Sequence, residues 1–114
     1  MSSGVLTIGD LAKATSTKVE TIRYYERIGL LPAPYRTSGN YRAYGKSDLG
    51  RLRFILRARA LGFGLQQVRE LLGLSDQKQR SCEAVDVIAR DHLADVDRKL
   101  ADLKALRREL DSII

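Results

Sequence analysis

Thirteen consecutive residues constrain the fold most: Val19-Glu20-Thr21-Ile22-Arg23-Tyr24-Tyr25-Glu26-Arg27-Ile28-Gly29-Leu30-Leu31. Val19, Ile22 and Tyr25 recur about one helical turn apart, which predicts a helix from residue 19 to residue 28 with one apolar face. Gly29 predicts the end of that helix, because glycine readily adopts the left-handed conformation that closes a helix.

A second short helix is predicted just before this one. Apolar residues at positions 8, 11, 12 and 14 follow helical spacing, and Thr7 is placed to cap the exposed N–H groups. Thr15-Ser16-Thr17 then interrupts the helix with side chains that hydrogen-bond their own backbone. Two short helices with a tight turn between them predict a helix-turn-helix. Its second helix presents side chains suited to a DNA major groove and its phosphates: Lys18, Thr21, Arg23, Tyr24 and Arg27.

A small hairpin is predicted after this pair of helices. Pro32 and Pro34 prevent a continuing helix, and two short extended segments flank the turn residues 37–40. Arg36 and Arg42 lie on either side of the turn, as a wing that grips a phosphate backbone requires. Each arginine alone fits a solvated loop charge equally well, but a neighbouring basic helix-turn-helix favours the wing.

Two further helices and a long C-terminal helix complete the predicted architecture. Helices are expected at about 47–61 and 65–74, separated by Gly62-Phe63-Gly64, and a polar loop is expected at 75–81. Their predicted core residues are Leu49, Leu52, Ile55, Leu56, Val68, Leu71 and Leu72. We therefore expect a DNA-binding region over residues 1–80, followed by one long helix over residues 81–114.

The long helix carries an apolar stripe. Residues 82–114 contain neither glycine nor proline, and a helix of that length is about 50 Å long. Apolar residues recur at alternating intervals of three and four residues along it, and Arg107 stands at one position where the pattern expects an apolar residue. Because the chain has no other segment to cover this stripe, we expect it to form the seam of a homodimer: Leu93, Val96, Leu100, Leu103, Leu110 and Ile114. The stripe is short, so an intrachain role for part of it is the alternative.

Composition and charge agree with this division. The 114 residues carry a net charge of +6; residues 1–80 hold 14 Lys or Arg against 6 Asp or Glu, whereas residues 81–114 hold 6 against 8. All seven aromatic residues fall between positions 24 and 63. A basic first part predicts a polyanionic partner, although charge alone separates DNA, RNA and acidic lipid poorly. Without a membrane-length apolar run, a signal sequence or a cysteine pair, the chain is expected to be cytoplasmic and not bound to a membrane.

The order of these segments resembles the MerR family of bacterial transcription regulators. The resemblance rests on residues 8–12, on residues 19–31, on Arg36, on Asn40-Tyr41-Arg42-Ala43-Tyr44, and on residues 52–63, and it extends over essentially the whole chain. It implies a mainly α fold: a winged helix-turn-helix followed by a long helix that forms an antiparallel coiled coil in a homodimer.

The resemblance also implies a function. Such a dimer binds a near-palindromic operator in double-stranded promoter DNA and distorts it, so that RNA polymerase can use promoter elements that are poorly spaced; this is indirect readout. Lys18, Thr21, Arg23 and Tyr24 would face the major groove, and Arg36, Tyr41 and Arg42 would be the wing contacts. Tyr25 and Tyr44 are expected in the core instead.

Cys82, the one cysteine, occupies the position of a metal ligand in the family's mercury, zinc, cadmium and lead sensors. A thiolate suits such thiophilic divalent ions. The chain departs from that branch, however, because it has no second cysteine and ends at Ile114, where the metal-binding loop is expected. Two interpretations therefore stay open: a metal-responsive protein whose sensor loop is missing from this chain, with Cys82 as a ligand, or a small buried cysteine in a protein whose inducer is not a metal. His92 is either a helper ligand or, as the favoured alternative, a polar residue at the dimer seam.

Three classes of function fit these features to different degrees. A dimeric DNA-binding regulator explains the most features, either responsive to metal or acting as a DNA-binding core or repressor without metal sensing. An enzyme is disfavoured, because the chain holds one histidine, one cysteine and no glycine-rich phosphate loop. A coiled-coil interaction protein with a basic nucleic-acid-binding part is the remaining alternative. RNA-binding modules usually offer aromatic residues on a sheet, which is not the arrangement predicted here.

Overall fold

The computed structural model describes residues 5–36, 42–76 and 83–114. Within these ranges the chain is mainly α-helical, with one two-stranded antiparallel ladder. The predicted mainly α fold class is confirmed. The elements are α1 (Ile8–Thr15), α2 (Val19–Arg27), β1 (Tyr35–Arg36), β2 (Arg42–Ala43), α3 (Lys46–Ala60), α4 (Leu65–Asp76) and α5 (Glu83–Ile113). None of the helices in the described ranges is long and apolar enough to span a membrane.

The ends of the first two helices follow from local chemistry. The Thr7 hydroxyl accepts a hydrogen bond from the Asp10 backbone N–H at 3.0 Å, and the Asp10 carboxylate accepts one from the Thr7 N–H at 2.9 Å. These reciprocal bonds satisfy two donors that a helix N-terminus would otherwise leave open. Ser16 ends α1 in the left-handed conformation with φ of 53°, and Gly29 follows α2 with φ of 84°. The predicted cap, turn and glycine end are confirmed.

The chain forms two compact units, Met1–Arg69 and Glu70–Ile114. In the first unit α1 packs against both α2 and α3. Its core consists of apolar side chains from α1, α2, β2, α3, α4 and the segments between them: Leu11, Ile22, Tyr25, Leu30, Leu31, Ala43, Tyr44, Leu52, Ile55, Ala58, Phe63 and Val68. The second unit contains the end of α4 and the whole of α5.

The predicted core of the later helices is partly revised. Leu52, Ile55, Val68 and Leu72 are buried, as expected. Leu49, Leu56 and Leu71 are only half-buried, whereas Ala58 is buried although it was not predicted. Ala58 follows Ile55 by three residues on the same helical face, and small residues of this kind are missed when only large apolar residues are counted.

Candidate DNA-binding surface

Helix α2 separates an apolar face from a basic face. Ile22 and Tyr25 are buried in the first unit, while Lys18, Arg23 and Tyr24 are exposed. Thr21 is half-buried at the edge between the two faces. Arg23 and Tyr24 are therefore available to a ligand, because residues three or four apart share a face and neither is so spaced from Ile22 or Tyr25. Lys18 is the N-cap residue just before the helix.

Two aromatic contacts order the exposed face of α2. The Arg27 guanidinium lies 5.8 Å from the centre of the Tyr24 ring, within the range of a cation–π interaction. The Tyr24 and Tyr25 ring centres are 5.7 Å apart and tilted by 52°. Because the buried Tyr25 anchors the pair, the Tyr24 ring is held in place although 39% of the residue is exposed.

The C-terminal end of α2 is fixed by residues that are distant in sequence. Leu30 and Leu31, just past the helix, are buried. Arg51 Nε of α3 donates a hydrogen bond to the Leu30 carbonyl at 2.7 Å, and Arg69 Nη2 of α4 donates one to the Ile28 carbonyl at 2.8 Å. The sequence analysis did not single out these two arginines. A helix end followed by glycine does signal open carbonyls, but it does not say which side chain will meet them.

The wing is present as a short antiparallel ladder. Tyr35 pairs with Ala43 and Arg36 pairs with Arg42, so the two arginines occupy opposite positions in the ladder. Tyr41, the third predicted wing contact, lies outside the described residues. The ladder is extended at its base, because Tyr44 and Leu6 exchange backbone hydrogen bonds of 2.8 and 2.9 Å.

Tyr44 also connects the base of the wing to α2. Its side chain is buried, as predicted, and its hydroxyl donates a hydrogen bond to Glu26 Oε2. Tyr25 is buried as well, so both tyrosines expected in the core are there. The exposed face of α2 and the base of the wing are therefore parts of one packed unit.

The apolar stripe of α5 is exposed in the isolated chain. Leu93, Val96, Leu100, Leu103 and Leu110 have between 39% and 59% of their surface accessible. Ile114 is exposed too, and the sequence analysis missed two more exposed apolar residues beside the stripe, Leu106 and Ile113. A strict heptad pattern omits such flanking positions. Near its C-terminus the stripe borders a groove of about 420 Å³ lined by Leu103, Leu106, Arg107, Leu110, Asp111 and Ile114.

Of the two residues expected at a metal site, Cys82 and His92, the structure describes only His92. Cys82 lies outside the described residues. His92 Nε2 lies 2.7 Å from Glu70 Oε1, the His92 side chain is 12% exposed, and its buried Nδ1 has no hydrogen-bond partner in the described part of the chain. Across residues 5–36, 42–76 and 83–114, no three His, Cys, Asp or Glu side chains form a group able to hold a metal ion.

Two family models match the chain. The model for the MerR HTH family regulatory protein matches residues 6–74, and the model described as MerR, DNA binding, matches residues 49–113. Together they span nearly the whole sequence, and they overlap in α3 and α4.

Individual relatives and a solved structure agree with these models. The chain is 43% identical over 109 residues to the mercuric resistance operon regulatory protein of Serratia marcescens, covering 96% of this chain and 74% of the relative. It is 40% identical over 105 residues to heavy metal-dependent transcription regulator 2 of Rhizobium meliloti, covering 92% and 71%. The crystal structure of the transcription regulator PbrR691 from Ralstonia metallidurans CH34 in complex with lead(II) matches with a TM-score of 0.65 and 43% identity, over 92% of this chain and 82% of that one. The chain belongs to the MerR family of helix-turn-helix DNA-binding transcription regulators.

Proposed function

We propose that this MerR-family chain binds a near-palindromic promoter operator as a homodimer and regulates transcription by distorting that DNA for RNA polymerase. The observation that carries the proposal is the division of α2 into a buried apolar face and an exposed face bearing Arg23 and Tyr24, with the exposed Lys18 just before the helix. A basic helix held in this way fits a major groove. Bacterial promoter DNA is found in the cytoplasm, so the proposed location is the cytoplasm.

The proposed DNA contacts divide by type. Arg23 and Lys18 supply charge for guanine edges or phosphates, while Thr21 and the Tyr24 hydroxyl supply hydrogen bonds to phosphates. Arg36, Tyr41 and Arg42 of the wing would grip the neighbouring phosphate backbone. Two copies of this set, one per protomer, would engage two half-sites, and the binding energy gathered at both ends would be used to deform the base pairs between them.

The proposed dimer forms through α5, and the charge pattern supports an antiparallel arrangement. Residues 83–97 hold five acidic and one basic residue, whereas residues 98–114 hold three acidic and five basic residues. An antiparallel pair places the acidic half of each helix beside the basic half of the other, while a parallel pair places like charges together. The exposed apolar stripe would be buried in either arrangement, so the charges favour the antiparallel one.

DNA binding is tested with a duplex selected by the natural chain from a randomised library. We expect specific binding with a steep salt dependence. Arg23→Ala should weaken binding and lower the salt slope by about two units per dimer, because each protomer loses one phosphate or base contact. Arg108→Ala removes an equal charge from the exposed surface of α5 and should leave the slope unchanged. Equal affinity for unrelated duplexes and for RNA would instead favour a general nucleic-acid-binding interaction protein.

We also propose that the regulator responds to a thiophilic divalent ion (mercury, zinc, cadmium or lead) with Cys82 as one ligand. The support is the thiol itself and the kinship with regulators named for mercury, heavy metals and lead. Among the residues that the structure describes, no three His, Cys, Asp or Glu side chains form a metal-binding group, so Cys82 is the one ligand that we propose. Zinc(II) and lead(II) binding in the presence of a competing thiol should be lost in Cys82→Ser; unchanged binding in that variant would contradict the role of Cys82.

A further inference from the structure

Two arginines of the first unit donate hydrogen bonds to backbone carbonyls of the same unit. Arg51 donates through Nε to the Leu30 carbonyl at 2.7 Å, and Arg69 donates through Nη2 to the Ile28 carbonyl at 2.8 Å. A Cβ atom built on Gly29 would lie 3.6 Å from Arg69 Nη1, so this guanidinium also lies against the glycine itself. Both arginines therefore converge on the three residues that follow α2.

The two carbonyls that these arginines bond lie just past the end of α2, because Ile28 is its C-cap residue and Leu30 follows Gly29. The last carbonyls of a helix have no partner within the helix, and Gly29 turns the chain away with φ of 84°. The turn itself is closed by the Gly29 N–H to the Glu26 carbonyl at 3.1 Å and by the Leu30 N–H to the Tyr25 carbonyl at 2.9 Å. The two guanidinium groups add charge-assisted bonds from α3 and α4, which are 21 and 41 residues away in sequence.

We propose that Arg51 and Arg69 are positioning residues that set the orientation of the recognition helix α2, and that they do not contact DNA phosphates. The inference rests on the proposed function, because it assigns α2 to the major groove. Lys18 lies just before α2 and Thr21 and Arg23 lie in its N-terminal half, while Arg51 and Arg69 hold the opposite end. Base contacts require placement to within about 0.5 Å, so a loosened helix end should cost operator recognition more than it costs general attraction to DNA.

Arg69 is the better residue to substitute, because it is exposed, whereas Arg51 is half-buried and makes a further contact. Arg69→Met keeps the aliphatic stem and removes every donor, and Arg69→Lys restores one donor and the charge. Arg57→Met is the matched control: Arg57 is an exposed arginine of α3 whose backbone carbonyl accepts from the Leu61 N–H, but whose side chain makes no hydrogen bond within the described ranges. Affinities are measured from 50 to 300 mM salt, about the range over which phosphate contacts change affinity most, for the duplex selected by the natural chain and for a scrambled duplex.

The proposal expects Arg69→Met to weaken binding to the selected duplex by about tenfold relative to Arg57→Met. The scrambled duplex should be bound equally by both variants, the two salt slopes should agree, and Arg69→Lys should recover part of the loss. If Arg69 contacted phosphate instead, Arg69→Met would weaken binding to both duplexes equally. The slope of log affinity against log salt concentration would then fall by about two units per dimer below that of Arg57→Met. That result, or no difference between the two variants, would overturn the proposal.

Hydrogen exchange without DNA tests the anchoring separately. The Gly29 and Leu30 amides should exchange faster in Arg69→Met than in the natural chain or in Arg57→Met, because the turn that protects them loses one of its ties. Unchanged exchange at these amides would overturn the proposed anchoring whatever the DNA measurements give. If the natural chain selects no duplex, the function proposed above fails, and the exchange result still decides whether Arg69 holds the helix end.

Discussion

Tyr44 connects three parts of the N-terminal unit. Its backbone pairs with Leu6, its ring is buried in the core, and its hydroxyl donates to the Glu26 carboxylate on α2. Glu26 is half-buried, so its charge is partly removed from water and depends on protein donors. One residue thus ties the start of the unit and the base of the wing to the helix proposed to read DNA.

Tyr44→Phe should therefore destabilise the folded state while keeping the packing of the ring. Removing the hydroxyl takes a donor from a half-buried carboxylate, which costs about 1–3 kcal/mol in the free energy of unfolding. Urea denaturation at fixed protein concentration measures this loss. Tyr24→Phe removes a hydroxyl from an exposed ring and should change stability by less than about 0.5 kcal/mol. Equal stability of the two variants would show that the Glu26 contact contributes nothing.

At the scale of single residues, the sequence predicted roles that follow from local chemistry. Thr7 as a cap, Gly29 as a left-handed helix end, and Tyr25 and Tyr44 as core residues all depend on neighbours or on side-chain polarity. The hydrogen bonds of Arg51 and Arg69 to the end of α2 depend on how α3 and α4 fold back. No periodicity in the sequence distinguishes an arginine that meets a carbonyl from one that faces solvent.

At the scale of elements, α3 shows how packing selects among similar residues. Leu52 is completely buried, whereas Leu61, just past the helix, is 49% exposed. The helix was predicted at about 47–61 and spans Lys46–Ala60, so its limits followed from the sequence. Its half-buried leucines did not, because the position of the neighbouring helices decides how deeply each leucine lies.

Leu52→Ala should cost about 2–5 kcal/mol in the free energy of unfolding, since it removes buried methyl groups and leaves a cavity in a close-packed core. Leu61→Ala makes the same chemical change at an exposed site and should cost less than about 1 kcal/mol. Thermal and urea unfolding of both variants measure the difference. A similar loss in both would mean that Leu61 is covered in the molecule as it exists in solution, for example by a second protomer.

At the scale of the whole molecule, the charge and the apolar surface are distributed unequally. The excess of basic residues lies before residue 81, while the continuous exposed apolar stripe lies on α5. Such a division suits a protein in which one region meets a polyanion and the other meets a copy of itself. The stripe was predicted from its spacing, but Leu106 and Ile113 beside it were missed, because a coiled-coil pattern is narrower than the apolar face of this helix.

Substituting the stripe tests this division directly. Leu103→Asp places a charge in the middle of the proposed seam, where burying it without a partner costs about 3–5 kcal/mol per site. We therefore expect the dissociation constant of the dimer to rise at least 100-fold, which sedimentation equilibrium measures. Because two residues turn a helix through about 200°, position 101 lies on the far side from position 103.

Ala101→Asp is the matched control for Leu103→Asp. It adds the same charge to an exposed position of the same helix and should leave the dimer intact. Circular dichroism of both variants checks that α5 remains folded at the concentrations used. Because each protomer is proposed to supply one half-site contact set, Leu103→Asp should also lose operator affinity at protein concentrations where Ala101→Asp binds normally. A Leu103→Asp protein that stays dimeric would place the dimer interface elsewhere on the chain.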